Sequence, residues 1–334
     1  MERALITGGT GFVGRHLVSF LQSRGAQVGV LACRQSSKQS SGISFYEADV
    51  RDRNEVHSAI ENFRPDYIYH LAAISSVPFS WKSPRQTYEV NVVGSLNVFE
   101  AAMSLPSPPR LLNVSTAQVY APSDLALSET GSVAPDNPYA ASKLMAELLR
   151  VQFHNALGGG IITARSFNHI GPGQSSEFVL ASIAKQFAEI EAERRDPKLT
   201  LGNINVKRDF TDVRDVVAAY CLLLHKGRVN ETYNVCSGHA RSIKEIVQEF
   251  EVISGIKVEI ETHGSKQRRG EVEEVRGSSA KIRAATGWNP KIPWKKSLDD
   301  LFNYWRSSLH HTLRVSTGAN GAKPMHSSSD LISS

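Results

Sequence analysis

The sequence predicts an α/β protein built on a doubly wound parallel sheet, with a smaller carboxyl-terminal α/β lobe. Three observations carry that expectation. Short apolar runs alternate with amphipathic stretches through the first half of the chain. A glycine triplet joins the first apolar run to the first amphipathic stretch. The alternation breaks after about Phe167, where glycine, proline and charge become frequent. Strands alternating with helices imply right-handed crossovers, hence a parallel sheet.

The elements follow in order. Residues 3–7 read as a strand and 11–24 as a helix. Strands at 27–32 and 43–47 precede a helix at 52–63 and a strand at 66–71. A single long helix is expected over 84–104, a strand over 110–115, a long helix over 138–157 and a strand over 160–164. Helices at 212–225 and 242–254 stand out beyond. This divides the chain into residues 1–165, a lobe of 166–309 interleaved with the sheet, and a Ser/Gly-rich tail of 310–334 expected to be disordered.

The bulk numbers exclude several classes. The 334 residues are 41% hydrophobic and 21% charged, ordinary for a folded globular chain. No apolar run approaches the roughly 18–20 residues that span a bilayer, and no leader-like start is visible, so no membrane association and a cytoplasmic protein are expected. Cys33, Cys221 and Cys236 lie far apart and form no CxxC, which argues against disulfides and against a metal site. Cys221 sits in an apolar run and reads as core packing. The net charge of +5 is dispersed rather than striped. It suits small phosphate-bearing ligands better than nucleic acid.

Thr7-Gly8-Gly9-Thr10-Gly11-Phe12-Val13-Gly14 follows the first strand and opens the first helix. Gly8 permits a tight turn, Gly11 lets the backbone approach a pyrophosphate, and Gly14 lets helix and strand pack closely. The unpaired N–H groups and dipole of the helix then face the phosphates. The pattern points to a Rossmann-type dinucleotide site for NAD or NADP. The end of the second strand, Val30-Leu31-Ala32-Cys33-Arg34, carries no acid for a ribose hydroxyl. Arg34 instead suits a 2′-phosphate, so NADP is favoured and NAD stays open.

Tyr139 and Lys143 are four apart after Pro138, a good helix start, so both share one helical face. For a tyrosine to exchange protons near neutrality its pKa must fall by about 3 units, or roughly 4 kcal/mol. A nearby ammonium and a nicotinamide cation are the expected sources. Thr116 ends the fifth strand, where a hydroxyl reaches the ligand crevice.

Together these features resemble the extended short-chain dehydrogenase/reductase family. The likeness runs from Arg3 to about Trp305 and includes Asp49-Val50, Leu71-Ala72-Ala73, Asn91-Val92-Val93-Gly94, Ser115-Thr116 with Val119-Tyr120, and Tyr139 with Lys143. The resemblance implies that Tyr139 is the acid/base, that Lys143 holds the nicotinamide ribose and depresses the tyrosine pKa, and that Thr116 holds the reacting oxygen. It implies a cofactor site of Gly8, Thr10, Gly11, Phe12, Val13, Gly14, Arg34, Asp49, Val50, Leu71, Ala72, Ala73, Asn91 and Ser115, besides Tyr139 and Lys143. Arg165 to Gln174 and Val206 to Val216 are similar to segments of reductases and dehydratases of GDP-6-deoxyhexoses. That likeness implies a nucleotide-sugar site of Ser75, Thr116, Asn168, Val179, Arg208, Arg268 and Glu271. His169 beside a Gly-Pro turn reads as a packed histidine outside the chemistry.

Dehydratases of the family carry a Glu soon after the catalytic threonine. Here Ala117 and Gln118 follow, and neither can abstract a proton. The implied activity is therefore NADP-dependent reduction of the 4-keto group of a GDP-linked 4-keto-6-deoxy-mannose. A 4-epimerase, which needs the same minimal set, and a dehydratase are the enzymatic alternatives. A cofactor-sensing protein without catalysis is the alternative from another class, and the retained Thr116, Tyr139 and Lys143 argue against it. The resemblance also implies a homodimer packed through the helices near 84–104 and 138–157.

Overall fold

The computed structural model describes residues 1–33, 42–262 and 272–318, with side chains up to 309. Six strands come first: β1 (Arg3–Thr7), β2 (Gln27–Ala32), β3 (Ile43–Glu47), β4 (Tyr67–His70), β5 (Arg110–Thr116) and β6 (Ile161–Ser166). Next come β7 (Asn168–Ile170), β8 (Lys198–Leu201), β9 (Lys207–Asp212) and β10 (Thr232–Val235). The main sheet runs β10-β6-β5-β4-β1-β2-β3, parallel throughout. A sheet covered on both faces must be apolar on both, and Leu5, Ile6, Ile68, Tyr69, Leu111 and Leu112 are all fully buried.

The helices are α1 (Phe12–Gln22), α2 (Arg53–Phe63), α3 (Val77–Lys82), α4 (Pro84–Tyr88), α5 (Gly94–Met103), α6 (Pro138–Leu157), α7 (Val179–Glu191), α8 (Val213–Lys226), α9 (Ile243–Ser254), α10 (Ala280–Thr286) and α11 (Trp294–Gly318). Their starts follow local chemistry. The Asp52 carboxylate accepts from the Asn54 and Glu55 amides to cap α2. Ser242 and Glu245 form a reciprocal capping box on α9.

The lobe has two small sheets. In one, β9 pairs with β11 (Ala240–Ser242), β13 (Glu274–Val275) and β7; in the other, β8 pairs with β12 (Glu259–Thr262). Phe187, Phe250 and Phe302 join α7, α9 and α11 in its core, with the first two rings stacked at 5.6 Å.

The structure adds detail to three expectations. The helix expected over 84–104 is continuous from Pro84 to Met103 but carries a π turn at Glu89–Val93, between α4 and α5. The Asn91 side chain, drawn inward to the Ile74 backbone, lies in that turn. Sheet and lobe interleave beyond residue 165: β10 completes the main sheet and α8 shares a core with α1. Residues 310–318 of the expected tail continue α11, which no glycine or proline interrupts before Gly318. Residues 319–334 lie outside the described residues.

Candidate active site

The glycine loop meets its packing demands with backbone. A Cβ on Gly14 would lie 2.4 Å from the Gly8 carbonyl and 2.6 Å from Gly9 Cα. Gly8 has φ +69°, and its Cβ would meet the Ala72 backbone at 2.9 Å. Both positions therefore need glycine. Gly11 is different. It is exposed, and its Cβ would meet only the Gly8 carbonyl, at 3.2 Å. It is the N-cap of α1, and no side chain caps that helix. No acid lies in the first turn. Such an end offers free N–H groups to an anion, so the loop fits the pyrophosphate of a nicotinamide dinucleotide.

Around it, Leu71, Ala72 and Ala73 leave β4 half-buried, the Ala72 amide donating to Thr7 Oγ1 at 3.1 Å. Val50 is buried against Gly94, where a Cβ would sit 2.8 Å from Val50 Cγ2. Asp49 holds Arg51, and that guanidinium keeps its carboxyl below the usual range. Thr10 accepts from Arg15 at 3.3 Å through its carbonyl, and Val13 is half-buried. Phe12 stacks on His169 with ring centroids 6.0 Å apart. His169 is held neutral by burial, in keeping with a packed histidine. Arg34, Arg268 and Glu271 lie outside the described residues.

Two expected cofactor contacts have engaged side chains. Asn91 is buried, accepts from the Ile74 amide at 2.8 Å, and donates to the Ile74 carbonyl and to Ser142 Oγ. Ser142 in turn donates to the Tyr139 carbonyl at 2.7 Å. Ser115 donates to Glu147 Oε1 at 2.5 Å, joining the end of β5 to α6. Both side chains thereby tie their own elements to α6.

Asn137 caps α6 by accepting from the Ala140 amide, with Pro138 in the first turn. That fixes where Tyr139 and Lys143 point. Tyr139, Lys143 and Thr116 are 9%, 4% and 6% exposed. Burial raises the Tyr139 pKa, opposed by the Thr116 side chain. A phenolate deprived of water is disfavoured, so the resting group is a phenol. A phenol is the form that donates a proton. Burial also lowers Lys143 to about 8, opposed by the charge of Glu147.

On the lobe side, Asn168 and Ser75 are exposed, and Val179 opens α7 at the surface. Arg208 is half-buried on β9, with Nη1 on the Lys207 carbonyl at 2.8 Å. Beside it, Asp209 gathers three segments. Its carboxylate accepts from Ser237 N and Oγ, Gly238 N and Gly277 N.

Sequence reasoning missed Glu147, Arg165 and Asp209 as organising groups. Glu147 was findable, since 139, 143 and 147 continue one helical stripe. Asp209 carried no local signal, because its partners lie 28 to 68 residues away.

The sheet order, the glycine loop at its first crossover and the tyrosine–lysine helix define an extended short-chain dehydrogenase/reductase architecture. Residues 5–301 match the GDP-mannose 4,6-dehydratase family, and the chain belongs to it. It is 35% identical over 311 residues to GDP-6-deoxy-D-mannose reductase of Pseudomonas aeruginosa, covering 92% of this chain and 98% of that one. The solved structure of RMD from Pseudomonas aeruginosa complexed with NADPH superposes with a TM-score of 0.82 at 34% identity, covering 92% of this chain and all of that one. UDP-glucose 4-epimerase of Thermus thermophilus in complex with NAD gives 0.81 at 30% identity, covering 92% and 99%.

Proposed function

We propose that the chain reduces the C4 keto group of GDP-4-keto-6-deoxy-mannose with NADPH, giving GDP-6-deoxy-D-mannose (GDP-D-rhamnose). The similarity to GDP-6-deoxy-D-mannose reductase over nearly the whole of both chains carries the reading. The site supports it. The residue two after Thr116 is Gln118, an amide without acid/base capacity, which disfavours dehydration. Tyr139 rests as a phenol, as reduction requires.

In this reading the α1 amino terminus and the glycine loop hold the cofactor pyrophosphate, Asp49 and Val50 flank the adenine, and Leu71 to Ala73 line the channel. The bound cofactor supplies the hydride. Thr116 orients the C4 oxygen, and Tyr139 gives its proton to that oxygen as negative charge develops there. Lys143 as an ammonium steadies the tyrosinate that remains. Asn168, Val179, Ser75 and Arg208, with Arg268 and Glu271, receive the nucleotide diphosphate and sugar, the arginines by paired hydrogen bonds. Arg34 meets the 2′-phosphate.

The same reading gives a homodimer. Trp81 and, on the outer face of α6, Leu148 are 62% and 57% exposed, and Met145 lies between Tyr139 and Leu148 at 44%. Such an apolar surface suits an interface between copies.

The test is direct. The protein is mixed with NADPH and GDP-4-keto-6-deoxy-mannose, and loss of reduced-nicotinamide absorbance is followed. Stoichiometric oxidation with a C4-reduced product is expected. No oxidation, with interconversion of a sugar's C4 epimers instead, would replace reductase by epimerase.

A further inference from the structure

Behind the catalytic stripe of α6 lies a buried ion pair that the chemistry above does not use. Glu147 stands one turn beyond Lys143 and is 4% exposed. Its carboxylate takes Arg165 Nε at 3.0 Å and Nη2 at 2.7 Å, and accepts from Ser115 Oγ. Each partner adjoins a working residue. Ser115 precedes Thr116 on β5. Arg165 lies on β6, three residues before Asn168, and its guanidinium covers the Tyr120 ring at 4.7 Å. The Tyr120 hydroxyl continues to Asn234 on β10 at 2.6 Å. One carboxylate thus ties α6, β5 and β6 together immediately behind the site.

We propose that Glu147 is a positioning residue that keeps Lys143 in its ammonium form while fixing α6 against the strand that carries Thr116. The inference rests on the reductase reading for the meaning of Lys143, but its geometry does not depend on it. A buried amine tends to lose its proton, and a nearby negative charge opposes that loss. The groups bearing on Lys143 are few. Glu147 opposes the effect of burial on it. His70 faces it from β4 and is held down to about 3 by burial, so it is neutral, with its ring nitrogens on Thr7 and Ser95. Tyr139, on its own helix, rests as a phenol. Glu147 itself faces Arg165 from β6 and Arg150 from α6. Arg165 pairs with the carboxylate, and the charge of that carboxylate opposes the effect of burial on Lys143.

The experiment compares Glu147→Gln, Glu147→Asp and the wild type in full-length protein. Two readouts are used: the pH profile of NADPH oxidation with the keto sugar, and the titration of Lys143 by NMR of 13C,15N-labelled lysine, assigned with Lys143→Arg. Loss of the carboxylate lowers the Lys143 pKa. In Glu147→Gln the alkaline fall of activity and the Lys143 titration should both move down by about 1 pH unit. Glu147→Asp keeps the charge and should restore most of that shift. If Glu147→Gln does not fold, Glu147→Gln with Arg165→Gln removes both buried charges, and the same downward direction is expected. Unmoved titration in either glutamine protein, or equal damage from glutamine and aspartate, overturns the proposal and leaves packing alone. A wild type that never oxidises NADPH would sink the reductase reading, and the NMR titration would then decide the role of Glu147 by itself.

Discussion

Tyr139 and Lys143 stand four residues apart on one helix, whereas Asn168, Val179 and Arg208 come from β7, α7 and β9. The first arrangement is local: a cap at Asn137 and the helical period suffice to aim both groups. The second is assembled over long separations. The small sheet that carries Asn168 and Arg208 exists only because β7, β11 and β13 all pair with β9, and Asp209 knots the adjoining loops. Local sites are read and broken residue by residue. Assembled ones fail through the scaffold that brings them together.

The largest effect should come from the local half. Tyr139→Phe removes the proton donor, and turnover should fall about 10³-fold with NADPH affinity nearly unchanged. Steady-state rates and a fluorescence titration of the cofactor check this. If turnover survives, the local reading is wrong.

Gly14→Ala drives a methyl into the Gly8 carbonyl. NADPH affinity should drop severely, and stability should fall by about 2 kcal/mol. Gly11→Ala, which meets only one atom at 3.2 Å, should be milder in stability. Denaturant melts and cofactor titrations of the two separate the packing glycine from the phosphate glycine.

Lys143→Met should inactivate the enzyme and yet stabilise the fold. The folded pKa of Lys143 is lowered from 10.5 to about 8, so the unfolded chain binds the proton more tightly. The wild type is therefore penalised below pH 8, and the penalty fades as pH rises from 8 towards 10.5. The gain should be about 3 kcal/mol at pH 7 and should vanish above pH 10.5, measured by denaturant unfolding across pH.

Asp209→Asn tests the assembled half. It turns an NH₂ towards the donors of Ser237, Gly238 and Gly277. Stability should fall by about 2 kcal/mol. The KM for the nucleotide sugar should rise more than kcat falls, which steady-state kinetics will show. A fall in kcat alone would tie Asp209 to the chemistry and blur the contrast.

The smallest effect on chemistry should come from Leu148→Glu, on the outer face of the Tyr139 helix. A charge there should shift the protein towards monomer in sedimentation while leaving early turnover close to wild type.

Most of the fold was legible because its elements are periodic and punctuated. The glycine loop, the tyrosine–lysine pair and six of the seven main-sheet strands follow from residues within a few positions of each other. The seventh, β10, was not legible, since nothing in Thr232–Val235 says that it lies beside β6. The π turn at Glu89–Val93 was hidden for the same reason: Asn91 answers to Ile74, 17 residues before it. The bond from Ser115 to Glu147, 32 residues on, was hidden likewise.

By itself, then, the sequence determined the parallel α/β class, the glycine-loop helix start and the placing of Tyr139 and Lys143 on one helical face. Helical period, capping and turn chemistry act over one or two turns, and these features need nothing more. Tertiary structure decided the rest: the strand that closes the sheet, the phenol state of Tyr139, the ties from Asn91 and Ser115 to α6, and the convergence of Glu147, Arg165 and Asp209 behind the site. Each depends on desolvation or on a hydrogen-bond partner supplied by a distant segment. Neither exists until the chain has packed.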